Sequence, residues 1–171
     1  MTSPPPPRPF LIWPDPRLRR PAEPVAGVDA EVLALWDEML RAMYAMPGVG
    51  LAAPQIGVGL RLAVIDCSTG ARAPVRLANP ECVWQSEKTE THPEGSPNLP
   101  GLTAPVTRPA EIGLRFLDES GAVVERVFAG LWAASAQHQL DHLDGRLFVE
   151  RLGPVKRRLL LSRHAKRQRR G

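Results

Sequence analysis

Two histidines four residues apart, His138 and His142, stand in the run Ala136-Gln-His-Gln-Leu-Asp-His-Leu143. On a helix, residues four apart lie one above the other on the same face. Two imidazoles so placed can grip one metal ion. Helices built for this purpose commonly place a glutamate after the first histidine, as base for an activated water. The residue here is Gln139, whose amide cannot take a proton. Histidines at this spacing also occur without a metal, so the pair needs further donors around it. Gln55 closes the small-residue stretch Gly48-Val-Gly-Leu-Ala-Ala-Pro-Gln55, where glycines let backbone approach a ligand. His92, Glu94 and Ser96 stand together in Thr91-His-Pro-Glu-Gly-Ser-Pro-Asn-Leu-Pro-Gly101.

The elements that must position these groups are short. Asp29 is a candidate N-cap for a helix from about 30 to 45, with Val32, Trp36, Met39, Leu40 and Met43 on one apolar stripe and Pro47-Gly48 as its stop. Residues 60–66 and 75–78 read as strands. The stretch 91–101 reads as loop throughout. Ile112, Leu114 and Phe116 alternate on one strand, residues 118–121 turn, and 123–129 return as a hairpin. The histidine helix spans about 131–143, favoured by Ala133, Ala134 and Ala136 and closed by Gly145. A last short helix, about 154–164, follows. Strands precede the histidine helix without regular alternation, so an α+β domain is expected rather than a parallel sheet.

A chain of 171 residues suits one domain. Five of its nineteen prolines fall in residues 1–9, which reads as a flexible, extended arm. No export signal or membrane span is expected, and a reducing cytoplasm suits two cysteines, Cys67 and Cys82, that read as small core residues. The net charge of +4 is unevenly spread: residues 155–171 hold eight Lys and Arg and no acid, leaving −4 for residues 1–154. Such a tail either binds polyanions or is merely solvated.

Three motifs, in order, resemble the peptide deformylases. They are Gly48-Val-Gly-Leu-Ala-Ala-Pro-Gln55, Glu94-Gly-Ser-Pro-Asn-Leu-Pro-Gly101 and Gln137-His-Gln-Leu-Asp-His-Leu-Asp-Gly145. The lead-in Pro14-Asp-Pro-Arg-Leu-Arg19, Arg108-Pro109 and Gly145-Arg-Leu-Phe148 fit as well. The resemblance implies a single deformylase-like domain over residues 10–165, with antiparallel and mixed sheets around a central metal-site helix, then a C-terminal helix and a basic tail at 166–171. It implies removal of the formyl group from the initiator methionine of nascent chains. It also implies a divalent ion (iron, zinc or nickel) on His138, His142 and the residue at 96. By the same resemblance, Gln55 holds the oxyanion, position 139 carries the base, and Gly48, Gly50, Leu51, Pro97 and Arg108 contact the substrate. The basic helix becomes a candidate contact for the ribosome and its RNA.

Three of these positions depart from the family pattern. Ser96 stands for a cysteine ligand, and a hydroxyl replaces a thiolate poorly. Gln139 stands for the glutamate base, a loss of about 10²–10⁴ in rate. Pro97 has no N–H where the family offers an oxyanion donor, worth roughly 10²–10³. The expectation is therefore a catalytically impaired relative, with weakly held metal and retained peptide or ribosome binding. The alternatives are an active metal-dependent deformylase or amidase with a substituted ligand set, to which His92 or Glu94 lends a ligand, and an RNA- or ribosome-binding module whose pocket is a relic.

Overall fold

The computed structural model describes residues 4–170. The first helix, α1 (Ala30–Ala45), has the predicted bounds, and the Asp29 side chain accepts from the Val32 N–H at 2.9 Å. Its stripe is buried as expected. After it come β1 (Gly50–Ala52), a 3-10 turn (Ala53–Ile56), β2 (Leu62–Ile65), β3 (Val75–Gln85), β4 (Thr89–Gly95), β5 (Thr103–Pro109), β6 (Glu111–Leu117), β7 (Val123–Ala129), α2 (Gly130–Leu143) and α3 (Pro154–Gln168).

Strands β1-β2-β3-β6-β7 form one five-stranded sheet and β4-β5 a second, with every strand pair antiparallel. Alternation along β2 explains its continuous apolar sequence. Leu62 and Val64 point toward α1 and join Trp36, Met39 and Met43. Ala63 and Ile65 point the other way, into a cluster with Ala133, Ala136 and Leu143 of α2. The five-stranded sheet thus lies between α1 and α2, and α2 is also packed against the β4-β5 sheet. The α+β expectation, with antiparallel sheets around a central histidine helix, holds.

Gly145 ends α2 at φ +73°, and a Cβ there would meet the Arg19 carbonyl oxygen at 2.5 Å, so only glycine serves.

Several expectations change. The loop assigned to 91–101 is strand up to Gly95, paired with β5 so that Pro93 lies opposite Pro105. A two-stranded sheet consists only of edges, where a residue without an N–H leaves no ladder bond unmade. Residues 50–52, taken with the glycine-rich loop, form an edge strand on β2. Strand β3 runs on to Gln85 through two register shifts, and its last residues, Cys82 among them, are exposed. Cys67 is half-buried, so neither cysteine is a core residue. The reach of the sheet past its helical cover, which composition does not reveal, decides this for Cys82. Burial pushes the Cys67 thiol up to about 11.

Helix α3 continues to Gln168 rather than ending near 164. Leu160 and Leu161 pack on Leu99, Leu102 and Phe148, and buried His164 donates from Nε2 to the Trp13 carbonyl at 2.7 Å. Of the N-terminal arm, residues 1–3 lie outside the described residues, while the Arg8 N–H bonds Glu38 on α1 at 2.7 Å. No helix among the described residues is long and apolar enough to cross a membrane.

Candidate active site

Helix α2 turns His138 and His142 inward, with their Nε2 atoms 3.1 Å apart. Nδ1 of His138 bonds Glu94 Oε1 at 2.8 Å. Because a carboxylate only accepts, His138 carries its proton on Nδ1 and keeps a lone pair on Nε2. Phe148 stacks on the ring with centroids 6.1 Å apart, which fixes its plane. His142 is buried, and that burial, with His138 and the Arg108 guanidinium nearby, holds its pKa well below the ordinary value of 6.5. Its Nδ1 is buried without a partner.

Glu94 on β4 is itself held. Arg108 on β5 grips both its oxygens, Nε to Oε2 at 2.6 Å and Nη2 to Oε1 at 2.9 Å, and reaches Asp141 of α2 through Nη1 at 2.9 Å. Arg151 binds the far side of Asp141. Burial raises the Glu94 pKa, but the bonds from Arg108 and His138 outweigh it and hold the carboxyl at about 2. Glu94 is a fixed anion that orients His138.

His138 borders a cavity of about 340 Å³, lined also by Gly48, Gly50, Gln55, Ser96, Pro97 and Gln139, while His142 is buried outside the lining. Gln139 is buried and its Oε1 has no partner. Its amide occupies the space that Gly50 leaves open. A Cβ on Gly50 would stand 2.4 Å from Gln139 Nε2 and 2.5 Å from Ser135 Oγ. Across the cavity, Gln55 is anchored by the Ala52 N–H to its Oε1 at 2.9 Å, and its Nε2 donates to Asn98 Oδ1 at 2.8 Å.

The residues singled out from sequence therefore divide. His138, Gln139, Gln55, Ser96, Gly48, Gly50 and Pro97 come together around one cavity, and His142 lies outside the lining with its Nε2 3.1 Å from that of His138. Arg108 does not line it: only 3% exposed, it is consumed by Glu94 and Asp141. Leu51 puts its side chain into the core beneath α1. Glu94 bonds His138 at Nδ1, not at Nε2, and Arg108 grips both its oxygens, so it stands as the orienting partner of the histidine. His92 lines the cavity but faces Glu90 at 3.3 Å. Sequence reasoning passed over Asn98, Ser135, Asp141 and Arg151. The one signal for Asp141 was an acid on the buried face of an alanine-rich helix.

The arrangement suits a divalent ion through two donors. Imidazole nitrogens about 2.0–2.1 Å from one ion lie about as far apart as these two, and Glu94 supplies the carboxylate partner that ligating histidines usually have. Among the described residues, no cluster of three His, Cys, Asp or Glu groups surrounds that point. The Ser96 hydroxyl donates to Asn98 Oδ1 at 2.9 Å.

An α+β domain with an inward histidine pair, an orienting carboxylate and an opposed amide donor defines a hydrolase-type metal site. The polypeptide deformylase family model matches residues 7–158. The peptide deformylase of Nitrosococcus oceani is 45% identical over 160 residues, covering 94% of this chain and 95% of that protein. A peptide deformylase crystal structure from Legionella pneumophila superposes with TM-score 0.88 at 39% identity, covering 95% of this chain and 96% of that one. The Ehrlichia chaffeensis peptide deformylase in complex with actinonin gives TM-score 0.88 at 31% identity, covering 95% and 98%. The chain belongs to the peptide deformylase family, which is metal-dependent and acts on N-terminal formyl-methionyl peptides.

This likeness corrects the expectation of a catalytically impaired relative. That expectation rested on the departures at Ser96, Pro97 and Gln139. The match to peptide deformylases over nearly the whole chain, one of them crystallised with actinonin, supports a working enzyme instead.

Proposed function

We propose that the protein is an active, metal-dependent deformylase that hydrolyses the formyl group from the N-terminal methionine of nascent peptides, with a ligand set lacking a thiolate. The observation that carries this reading is the pair of Nε2 atoms 3.1 Å apart, with His138 lining a cavity walled by Gln55 and Gln139. His138 and His142 would hold the ion, and iron, zinc and nickel all accept imidazole donors. Two imidazoles without a thiolate would hold it less tightly than the full set. When bound, it would supply Lewis acidity toward a carbonyl oxygen and toward water.

The protein groups do the rest. Glu94 keeps His138 in the tautomer that presents a lone pair. Gln139 Oε1, buried and unpartnered, accepts an O–H from the attacking water and aims it. This orienting role requires no proton uptake. Gln55 Nε2 donates to the formyl oxygen, while Gly48, Gly50 and Pro97 give the peptide backbone a close-fitting wall. The water proton ends on the departing amine, so products are formate and a free N-terminus. The basic surface of α3 supports docking on ribosomal RNA, where such substrates emerge, and a cytoplasmic location follows from that substrate.

The test is turnover of a formyl-methionyl peptide by protein loaded anaerobically with iron, nickel or zinc, beside His138→Ala. Turnover is expected from the native chain, and loss of both metal and activity from the variant. Native protein that retains metal but cleaves no formyl- or acyl-peptide would overturn the reading.

A further inference from the structure

The oxyanion pocket of this chain has a donor that Pro97 cannot supply and that Ser96 can. Gln55, 1% exposed, and Ser96, 8% exposed, line the cavity, and Asn98, fully buried, bonds both of them. The Gln55 amide cannot flip, because its oxygen is held by the Ala52 N–H at 2.9 Å and its nitrogen by Asn98 Oδ1 at 2.8 Å. Its nitrogen has two hydrogens. One goes to Asn98, and the other has only Ser96 Oγ at 3.4 Å, too long for a strong bond. That hydrogen is free for an acceptor in the cavity.

Ser96 Oγ donates to the same Asn98 oxygen at 2.9 Å. Rotation about the C–O bond swings this hydrogen toward the cavity without moving a heavy atom, and Asn98 Oδ1 stays satisfied by Gln55. Asn98 is rigid in turn: its Nδ2 donates to the Leu11 carbonyl at 2.6 Å and to the Gln55 carbonyl at 3.1 Å. Two donors 3.4 Å apart can both lie about 2.9 Å from one oxygen between them.

We propose that the Ser96 hydroxyl and the Gln55 amide together form the oxyanion pocket, held in register by Asn98. Ser96 is then a hydrogen-bond donor to substrate rather than a metal ligand, and it supplies a donor where Pro97 has no main-chain N–H to offer. As water oxygen bonds to the formyl carbon, the carbonyl π pair moves onto oxygen. The two donors meet that charge until the C–N bond breaks and the pair returns. Ser96 is a catalytic residue in this scheme and Asn98 a positioning residue.

This inference rests on the deformylase reading, and the experiment separates the two. Metal-loaded native protein, Ser96→Ala and Ser96→Thr are compared for kcat and KM on a formyl-methionyl tripeptide, for metal per chain, and for affinity toward formate. Ser96→Ala is expected to lose about 10²-fold in kcat, as for removal of one oxyanion donor. Its KM should shift by less than about threefold and its metal content should stay unchanged, the pattern of an interaction made in the transition state. Ser96→Thr, which keeps the hydroxyl, should recover most of the rate. A native kcat in Ser96→Ala overturns the proposal, and so does loss of metal from it, which makes Ser96 a ligand. If native protein holds metal yet shows no turnover, the deformylase reading fails alone, and formate decides the role of Ser96. Weaker binding of formate by about tenfold in Ser96→Ala upholds the donor, and equal affinity removes it.

Discussion

At the scale of single residues, the chemistry turns on which polar groups are already spent. Glu94 is a carboxylate beside a histidine pair, yet Arg108 and His138 engage both its oxygens and hold its carboxyl at about 2, so it takes no proton near neutrality. Gln139 has the opposite character, with a buried acceptor that nothing in the protein uses. Gln139→Glu should therefore add a proton acceptor where one is geometrically ready, raising kcat by about 10² or more with KM little changed. Steady-state kinetics on a formyl peptide checks this, and an unchanged kcat would show that proton removal does not limit the reaction. His138, His142 and Gln55 were legible in sequence because spacing and motif order identify them without tertiary detail. Arg108 was not. Whether a guanidinium meets substrate or two carboxylates depends on the register of β4 against β5, which pairs Glu90 with Arg108 and sets Glu94 further along the same strand. Asn98 gains its role only where the loop after β4 meets Leu11 and Gln55.

At the scale of elements, α1 and α2 were readable for physical reasons: one has a cap and a 3.6-residue stripe, the other an alanine-rich body and a terminating glycine. Strand β4 was hidden, since prolines and polar residues in a two-stranded sheet carry none of the apolar alternation that marks a half-buried strand. Helix α3 combines both cases. Its inner face docks through Leu160, Leu161 and His164 against the segment that follows the site loop, and Arg167 bonds the Gly101 carbonyl at 3.1 Å. Its outer face exposes Arg158, Arg163 and Lys166, and Arg170 is exposed just beyond its end. Deleting α3 would confound docking with folding, so charge is the better variable. Replacing those four residues by Gln should leave the melting temperature nearly unchanged. It should weaken ribosome association and flatten its salt dependence, by up to about 0.7–0.9 in log–log slope for each phosphate no longer neutralised. Sedimentation with ribosomes at several salt concentrations measures both. Equal association by native and substituted protein removes α3 as the docking surface.

At the scale of the whole molecule, the sheet lies between two helices, and one half-buried hydrogen bond ties the end of α1 to the exit of β2. Tyr44 donates to Asp66 Oδ2 at 2.6 Å, and Asp66 also accepts from the Ser68 hydroxyl and from the Ser68 and Ala73 N–H groups. Burial raises the Asp66 pKa, but these bonds outweigh it and hold the carboxyl below its ordinary 3.8. A folded pKa below the unfolded one means that the contribution is complete above 3.8 and is lost as pH falls through the folded value. Tyr44 has the opposite sign. Burial, and then the bond to Asp66, push its phenol from 10.0 up to about 12, so its contribution is complete below 10.0 and is lost as pH rises toward about 12. One hydrogen bond therefore stabilises the fold between an acid and an alkaline limit. Asp66→Asn should cost roughly 1–3 kcal/mol at neutral pH by leaving buried donors poorly matched, and the deficit should shrink as pH falls below 3.8. Tyr44→Phe should show its deficit at neutral pH and lose it between 10.0 and about 12. Urea unfolding across pH gives both curves, with a slope of at most about 1.4 kcal/mol per pH unit from a single group. A deficit independent of pH in both variants would mean that Asp66 and Tyr44 contribute by packing, and that the clasp between α1 and β2 does not depend on the charge of Asp66.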